Sequence, residues 1–297
     1  MNSEAKKQIR PFYWSVRREL WENRSLYIAP LIVAGVVVVG FIFSAIGLPE
    51  RRREVLLLAD PMKQRAAIEM PYDMAALMLM FTAFIVGLFY CLDALYGERR
   101  DRSVLFWKSM PVSDWTTVLA KTFVPLVVMP IISFAVIIAA QLMILLITSV
   151  LLLVHGMSPL TTITHTNLAQ NSLILLYSLI ALSLWHAPTY AWALLVSAWV
   201  RRATFLWAIL PVIAIAIFER ITFGTSYFSL FIRNRFMSWA AEAFALRHTP
   251  KGIPILDTLS QLTPGRYLMT PGLWIGLIVA AIFLVLAIRF RRHQGPI

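Results

Sequence analysis

Long uninterrupted apolar stretches, several of about 20 residues or more, constrain this chain more than any other feature, because a helix of that length matches the hydrocarbon thickness of a bilayer. Hydrophobic residues make up 59% of the 297 residues and charged residues only 14%. The mean hydropathy of +0.73 is too high for a soluble globule. The sequence therefore predicts an all-α polytopic membrane protein that forms a single domain over residues 1–297.

The apolar runs predict six transmembrane helices, which end at charged or polar residues. The third run is about twice as long as one span needs to be. No polar turn divides it, and Pro125 and Pro130 can kink it, so we expect one long helix there. The predicted spans cover residues 27–48, 72–96, 118–150, 171–200, 203–219 and 271–289.

Two further segments complete the predicted architecture. Residues 8–24 place Phe12, Val16 and Leu20 at four-residue spacing among basic residues, which predicts an N-terminal helix lying in the membrane interface. Residues 221–270 mix aromatic and charged side chains and do not form a clean span. We expect an outer re-entrant or interfacial segment there, between helices five and six.

The basic residues indicate how the helices are oriented. A cytoplasmic N-terminus places 16 of the 27 Lys and Arg residues on the inner side, and both termini then face the cytoplasm. Arg51, Arg52 and Arg53 in the first outer loop go against this orientation. Because the basic residues cluster at the ends of apolar runs, the net charge of +12 predicts contact with membrane lipids and not with nucleic acid.

The sequence contains no G-x-x-x-x-G-K-[ST], G-x-G-x-x-G, H-E-x-x-H or G-x-S-x-G motif. Its single cysteine, Cys91, has no second cysteine with which to form an intramolecular disulfide or a thiolate metal site. We therefore expect a non-catalytic chain without a cofactor or metal of its own. If the protein uses ATP, another subunit binds it.

The inner loop after the second span reads YGERRDRSVLFWKSMPVSD over residues 96–114 and combines charges with large apolar side chains. One interpretation is an ordinary positively charged inner loop with a lipid-facing patch. The other is a short amphipathic helix whose aromatic and charged side chains bind a cytoplasmic partner. Both remain open on physical grounds alone.

This loop, followed by WTTVLAKTFVPL, resembles the permease subunits of ABC-2 type exporters, and residues 185–211, WHAPTYAWALLVSAWVRRATFLWAILP, are similar to the fourth and fifth helices of that family. The resemblance implies a bacterial inner-membrane exporter that works by alternating access. It also implies a second permease subunit, identical or not, and two separate cytoplasmic ATPase subunits that bind ATP and Mg²⁺. The implied coupling residues are Glu98, Arg99, Arg100, Asp101, Arg102, Phe106 and Trp107.

Polar residues inside predicted spans are further candidates, because the bilayer core disfavours them. Glu219, at the outer end of span five, lines an exit gate in one interpretation and forms a salt bridge to Arg220 or Arg266 in the other. His186, in span four, either lines the pathway or hydrogen-bonds a neighbouring helix. Two other functions stay open: a secondary transporter, and a membrane-embedded enzyme using His186 and Glu219 as acid and base. The sequence indicates no substrate.

Overall fold

Six helical runs in the computed structural model are long and apolar enough to cross a membrane, counted over the residues that the structure describes. Those residues are 3–58, 60–103, 112–160, 162, 166–245, 247–248, 254–255 and 258–293. The chain is thus a multi-pass, all-α membrane protein, as predicted. In chain order the helices are α1 (Ser3–Glu22), α2 (Ser25–Ser44), α3 (Leu48–Leu56), α4 (Pro61–Ala94), α5 (Tyr96–Arg100), α6 (Asp114–Phe123), α7 (Met129–Val154), α8 (Leu168–Trp199), α9 (Thr204–Phe223), α10 (Tyr227–Met237), α11 (Trp239–Ala243), α12 (Pro264–Met269) and α13 (Pro271–His293).

The second spanning helix, α4, begins well before the predicted residue 72. Asp60 caps it, because the Asp60 carboxylate accepts a hydrogen bond of 3.0 Å from the Met62 N–H, and Pro61 occupies the first turn. This pairing of an acidic cap with a proline is a strong helix start. The charged residues between 63 and 69 lower the local hydropathy, so the apolar run alone places the start of the helix too late.

The third span is one continuous helical run, as its sequence predicts. A π-helical turn over Val124–Val128 joins α6 to α7, so the run extends from Asp114 to Val154. Pro125 lies inside this turn and has no N–H to donate to the carbonyl four residues earlier. The wider π turn accommodates the proline without ending the helix.

The N-terminal helix α1 packs one face against α6 and leaves the other exposed. Phe12 meets Phe123 edge to face, with ring centroids 5.4 Å apart. On the exposed face, the Arg17 guanidinium lies over Trp14 and Trp21, at 5.1 and 4.5 Å from the ring centroids. This division into a packed side and an aromatic, cationic side is typical of a helix in the membrane interface.

The centre of the bundle is formed by α8, which packs most extensively on α13 and also on α4. The small residues Ala187, Ala191 and Ala280 lie buried at the contact between α8 and α13 and let these two helices approach closely. Helix α9 is peripheral, and none of its residues is buried. A tight turn with Ala203 at a positive φ of 53° connects α8 to α9.

The segment between α9 and α13 folds back against the bundle. It contains α10, α11, α12 and a two-residue antiparallel pairing of Arg247–His248 with Pro254–Ile255. The Arg235 guanidinium on α10 donates hydrogen bonds to the carbonyls of Trp185 and Gly272 and lies 4.4 Å from the centroid of the Trp185 ring. This contact attaches the segment to both α8 and α13.

Candidate functional site

Charged side chains from four separate helices meet at one end of the bundle, where the chain enters the loop after α5. We name this cluster the ionic junction, and the end that contains it the junction end. The side chains come from α1, α5, α6 and α13, and all lie largely out of contact with solvent. Its members are Arg18, Glu19, Glu98, Asp114, Lys121 and Arg291.

Glu19 is the centre of the junction on the side of α1. Its carboxylate accepts hydrogen bonds from the Lys121 ammonium at 2.9 Å, the Tyr90 hydroxyl at 2.8 Å and the Arg18 guanidinium at 2.7 Å. Glu19 is only 1% exposed. Because the donors include residues of α4 and α6, this one carboxylate fixes α1 to two spanning helices.

Glu98 is the corresponding centre on the side of α5. It forms ion pairs with Arg18 at 3.0 Å, Lys121 at 3.2 Å and Arg291 at 3.2 Å. Arg291 also pairs with Asp114, at the start of α6. Glu98 therefore joins α5 to α1, to α6 and to the end of α13.

The charges of the ionic junction balance. Its three cations face three carboxylates, so these six members have no formal net charge; the half-exposed Glu22 also pairs with Arg18, at 3.6 Å, from outside the buried cluster. Taking an ion out of water costs several kcal/mol, and a buried network is tolerated only when each charge has partners. Removing one partner of such a buried pair costs about 3–5 kcal/mol, because the remaining charge is left uncompensated. The junction end is consequently held together as a unit.

Neighbouring charges and burial shift the pKa values of Arg18 and Glu22 on α1, which lies outside the spans. Burial alone would lower the pKa of Arg18, but Glu19, Glu98 and Glu22 around it raise that pKa overall. Burial raises the pKa of the Glu22 carboxyl, and Arg18 opposes that shift. Arg18 is thus held in its charged form by the carboxylates of its own helix and of α5.

Helix α5 is also fastened to the end of α8. The Ser197 hydroxyl oxygen accepts hydrogen bonds from the N–H groups of Leu95 and Tyr96, at 2.9 and 2.8 Å. The Arg99 guanidinium donates to the Ala198 carbonyl. Both Arg99 and Ser197 are buried. The end of α8 therefore joins the assembly through α5 without an ion pair.

The residues to which the family resemblance gives a coupling role divide into two groups. Glu98 and Arg99 are buried and hold α5 in place. Arg100, Asp101 and Arg102 are exposed and face away from the bundle. Phe106 and Trp107 lie outside the described residues. Among the described residues of this set, only these three have exposed side chains.

His186 is buried in α8, where Nδ1 donates a hydrogen bond of 2.9 Å to the Leu182 carbonyl of the same helix. Its ring packs between two aromatic rings, at centroid distances of 4.8 Å to Phe84 and 5.8 Å to Phe236. The hydrogen bond is thus made within α8 and not to a neighbouring helix.

Glu219 closes the turn between α9 and α10. Its carboxylate accepts hydrogen bonds from the Thr225 hydroxyl at 2.7 Å and from the N–H groups of Tyr227 and Phe228 at 2.7 and 2.8 Å. These amides open α10, so Glu219 stabilises the start of that helix. Arg220 does not pair with it in the described structure, and donates instead to Gly224 and Ser226.

His186 and Glu219 lie at opposite ends of α10. Glu219 binds the start of that helix, whereas His186 packs against Phe236 eight residues further along, which corresponds to about 12 Å of α-helix. Within the described part of the chain no hydrogen bond joins them. The structure therefore does not bring these two residues together as an acid–base pair.

Five members of the junction were not predicted from the sequence: Arg18, Glu19, Asp114, Lys121 and Arg291. One usable signal was Lys121, a charge within a long apolar run. Another was Glu19, which lies on the same face of α1 as Phe12 and Val16. Over the described residues no group of three or more His, Cys, Asp or Glu side chains is placed to hold a metal ion.

The ionic junction and the exposed charges beside it thus form the candidate functional site. Comparisons of the chain with protein-family models, with curated proteins and with solved structures find no match.

Proposed function

We propose that this chain is the membrane-spanning permease subunit of an ATP-binding cassette exporter. The resemblance of residues 96–126 and 185–211 to ABC-2 permeases is the reason for naming this class. The structural observation that supports it is the ionic junction, which ties α1 and α5 to spanning helices directly beside the exposed Arg100, Asp101 and Arg102.

A permease of this kind must convert a push at its cytoplasmic face into movement of its spans. Groups in a buried, fully paired network move together, because separating one of them from its partners leaves a charge uncompensated. A push on residues 100–102 would displace α5, and Glu98 would carry that displacement to α1, α6 and α13. The Ser197 contact would carry it to α8.

In the proposed cycle, ATP and Mg²⁺ bind to the two separate ATPase subunits and draw them together. The exposed charges after α5 follow the ATPases, and the ionic junction passes the movement to the spans. This chain and a second permease subunit then rock to open a path outward. The chain itself is non-catalytic in this proposal, resides in a bacterial inner membrane and has the junction end and both termini in the cytoplasm.

The test begins with the purified chain, which we expect to hydrolyse no ATP by itself. Tagged in its native host, it is expected to co-purify with an ATPase carrying a Walker A motif. In proteoliposomes containing that complex, Arg100→Glu combined with Trp107→Ala should abolish coupled hydrolysis. Arg202→Glu, a charge reversal at an exposed position of the turn between α8 and α9, is the matched control and should leave hydrolysis unchanged.

Two results would contradict the proposal. Unchanged hydrolysis in the Arg100 and Trp107 double variant would remove the coupling role of the loop. Movement of a solute by the chain alone, driven by a proton or sodium gradient without an ATPase, would favour the secondary-transporter alternative.

A further inference from the structure

The end of the bundle opposite the ionic junction, here called the far end, buries a cation that no carboxylate neutralises among the described residues. Arg52 on α3 is 8% exposed, and its Nη1 atom makes no hydrogen bond. Glu69, a buried acidic residue of α4, is engaged by Arg65 at 3.0 Å. A buried charge without a partner costs several kcal/mol, so the position calls for an anionic ligand.

Two hydroxyl groups lie in the same buried region as Arg52. Tyr72 of α4 packs in one buried cluster with Leu48, one turn before Arg52, and with Leu151 of α7, about one turn from Thr148. The buried Tyr72 hydroxyl makes no hydrogen bond in the described structure. Tyr72 and Thr148 are each 2% exposed. Guanidinium and hydroxyl donors are groups that bind a phosphate.

The depth of the position matches the lipid headgroups. Residues Ser25–Leu56 form one helical run of 32 residues, and Arg52 lies about 40 Å along it at 1.5 Å per residue. Tyr72 lies about 33 Å from Ala94, at the junction end of α4. The hydrocarbon core is about 30 Å thick, so both side chains reach the level just beyond it, where the phosphates of the far leaflet lie.

The surface around Arg52 also suits a lipid. Ile46 and Leu57 are 79% and 85% exposed at either end of α3, and Arg51 and Arg53 are exposed between them. Apolar side chains flanking a basic turn fit acyl chains below and an anionic headgroup beside them.

We propose that Arg52, with the Tyr72 and Thr148 hydroxyls, binds the phosphate group of a membrane phospholipid at the far end of the bundle. The bound lipid supplies the negative charge that the described residues lack, and it anchors α3 to α4 and α7. This site does not depend on the proposed export function, because it lies at the other end of the spans and involves none of the coupling residues.

The experiment uses the full chain in detergent, with phosphatidylglycerol added as the probe. Diacylglycerol with the same acyl chains tests whether the phosphate matters, and inorganic phosphate tests whether the lipid matters. The variants are Arg52→Gln and the matched control Arg53→Gln, which removes the same charge from an exposed position of the same helix. Native mass spectrometry counts the retained lipids, and thermal melting reports their stabilising effect.

We expect phosphatidylglycerol to raise the melting temperature of the wild type and of Arg53→Gln. Arg52→Gln should need about tenfold more lipid for the same shift, as the loss of a charge-assisted hydrogen bond implies. Equal lipid dependence of the two variants would overturn the proposal, and so would an equal effect of diacylglycerol or of inorganic phosphate. If Arg52→Gln does not fold, Tyr72→Phe keeps the test decisive: several-fold weaker lipid binding supports the site, and unchanged binding refutes it.

Discussion

Replacing Lys121 with methionine tests whether the ionic junction holds the junction end together. The substitution keeps the length and most of the volume of the side chain but removes its charge. Glu19 and Glu98, which Lys121 contacts at 2.9 and 3.2 Å, then share only Arg18 and Arg291, and the junction acquires a net charge of −1.

The expected cost follows from burial. Lys121 is 2% exposed and Glu19 is 1% exposed, so solvent does not screen the unpaired carboxylate. Breaking a buried pair by removing one partner costs about 3–5 kcal/mol. The double variant Glu19→Gln with Lys121→Met removes one charge of each sign and restores neutrality, and the glutamine still accepts a hydrogen bond from Tyr90. We expect it to recover at least half of that loss, about 2 kcal/mol.

Cys91 provides the assay, because it is the chain's single cysteine and is fully buried. A pulse of thiol-reactive dye during an SDS titration in mixed micelles labels only unfolded molecules. The labelled fraction at each SDS concentration gives the free energy of unfolding for each variant. The same residue serves in every variant, so no reporter has to be introduced.

Arg100→Gln is the control, since Arg100 pairs with Asp93 at 3.7 Å and with Asp101 at 3.0 Å while all three side chains are more than half exposed. Exposed pairs contribute about 0–1 kcal/mol, so this variant should unfold almost like the wild type. The reasoning fails if Lys121→Met is as stable as Arg100→Gln. It also fails if the double variant loses the sum of the two single losses.

Three further predictions concern packing and hydrogen bonds elsewhere. A Cβ at Gly276 would overlap the Arg235 guanidinium, so Gly276→Ala should displace Arg235 and destabilise the chain by about 1–3 kcal/mol. Adding Arg235→Ala should then cost little more in SDS unfolding. Ser197→Ala leaves two N–H groups of the α4–α5 connection unsatisfied and should cost about 1–3 kcal/mol. Ser178→Ala, which removes only a bond to its own helix, should cost clearly less. Glu219→Ala should speed hydrogen exchange at the first amides of α10 while global melting stays unchanged; equal exchange rates would exclude the capping role.

The spans and the N-terminal helix could be predicted from the sequence because apolar runs and helical periodicity are local properties. The start of α4 could not be located from hydropathy, since residues 61–71 are helical but lie toward the far end, where the bilayer no longer selects against charge. The signal there was the Asp60 cap followed by Pro61, which is a local feature of a different kind.

The ionic junction could not be predicted in the same way. Its members come from distant parts of the sequence: Lys121 lies 102 positions after Glu19, and Arg291 lies 193 positions after Glu98. Spacing within one helix carries no information about such pairs. The family resemblance groups Glu98 and Arg99 with their exposed neighbours, although the turn of α5 directs them inward. For Glu219, the sequence suggests an exit gate or a salt bridge. Neither interpretation includes the backbone N–H groups that its carboxylate binds.

The arrangement around Glu19 has a consequence for how α1 can behave. An amphipathic helix at a membrane surface is free to slide when only apolar and headgroup contacts hold it. Here one buried carboxylate of α1 receives donors from α4 and α6, and Arg18 beside it pairs with Glu98 of α5. Detaching α1 would leave Lys121 with Glu98 alone and the Tyr90 hydroxyl without its acceptor. Helix α1 must therefore move with the spans, so any partner that pushes on the junction end moves α1, α5 and α6 as one body.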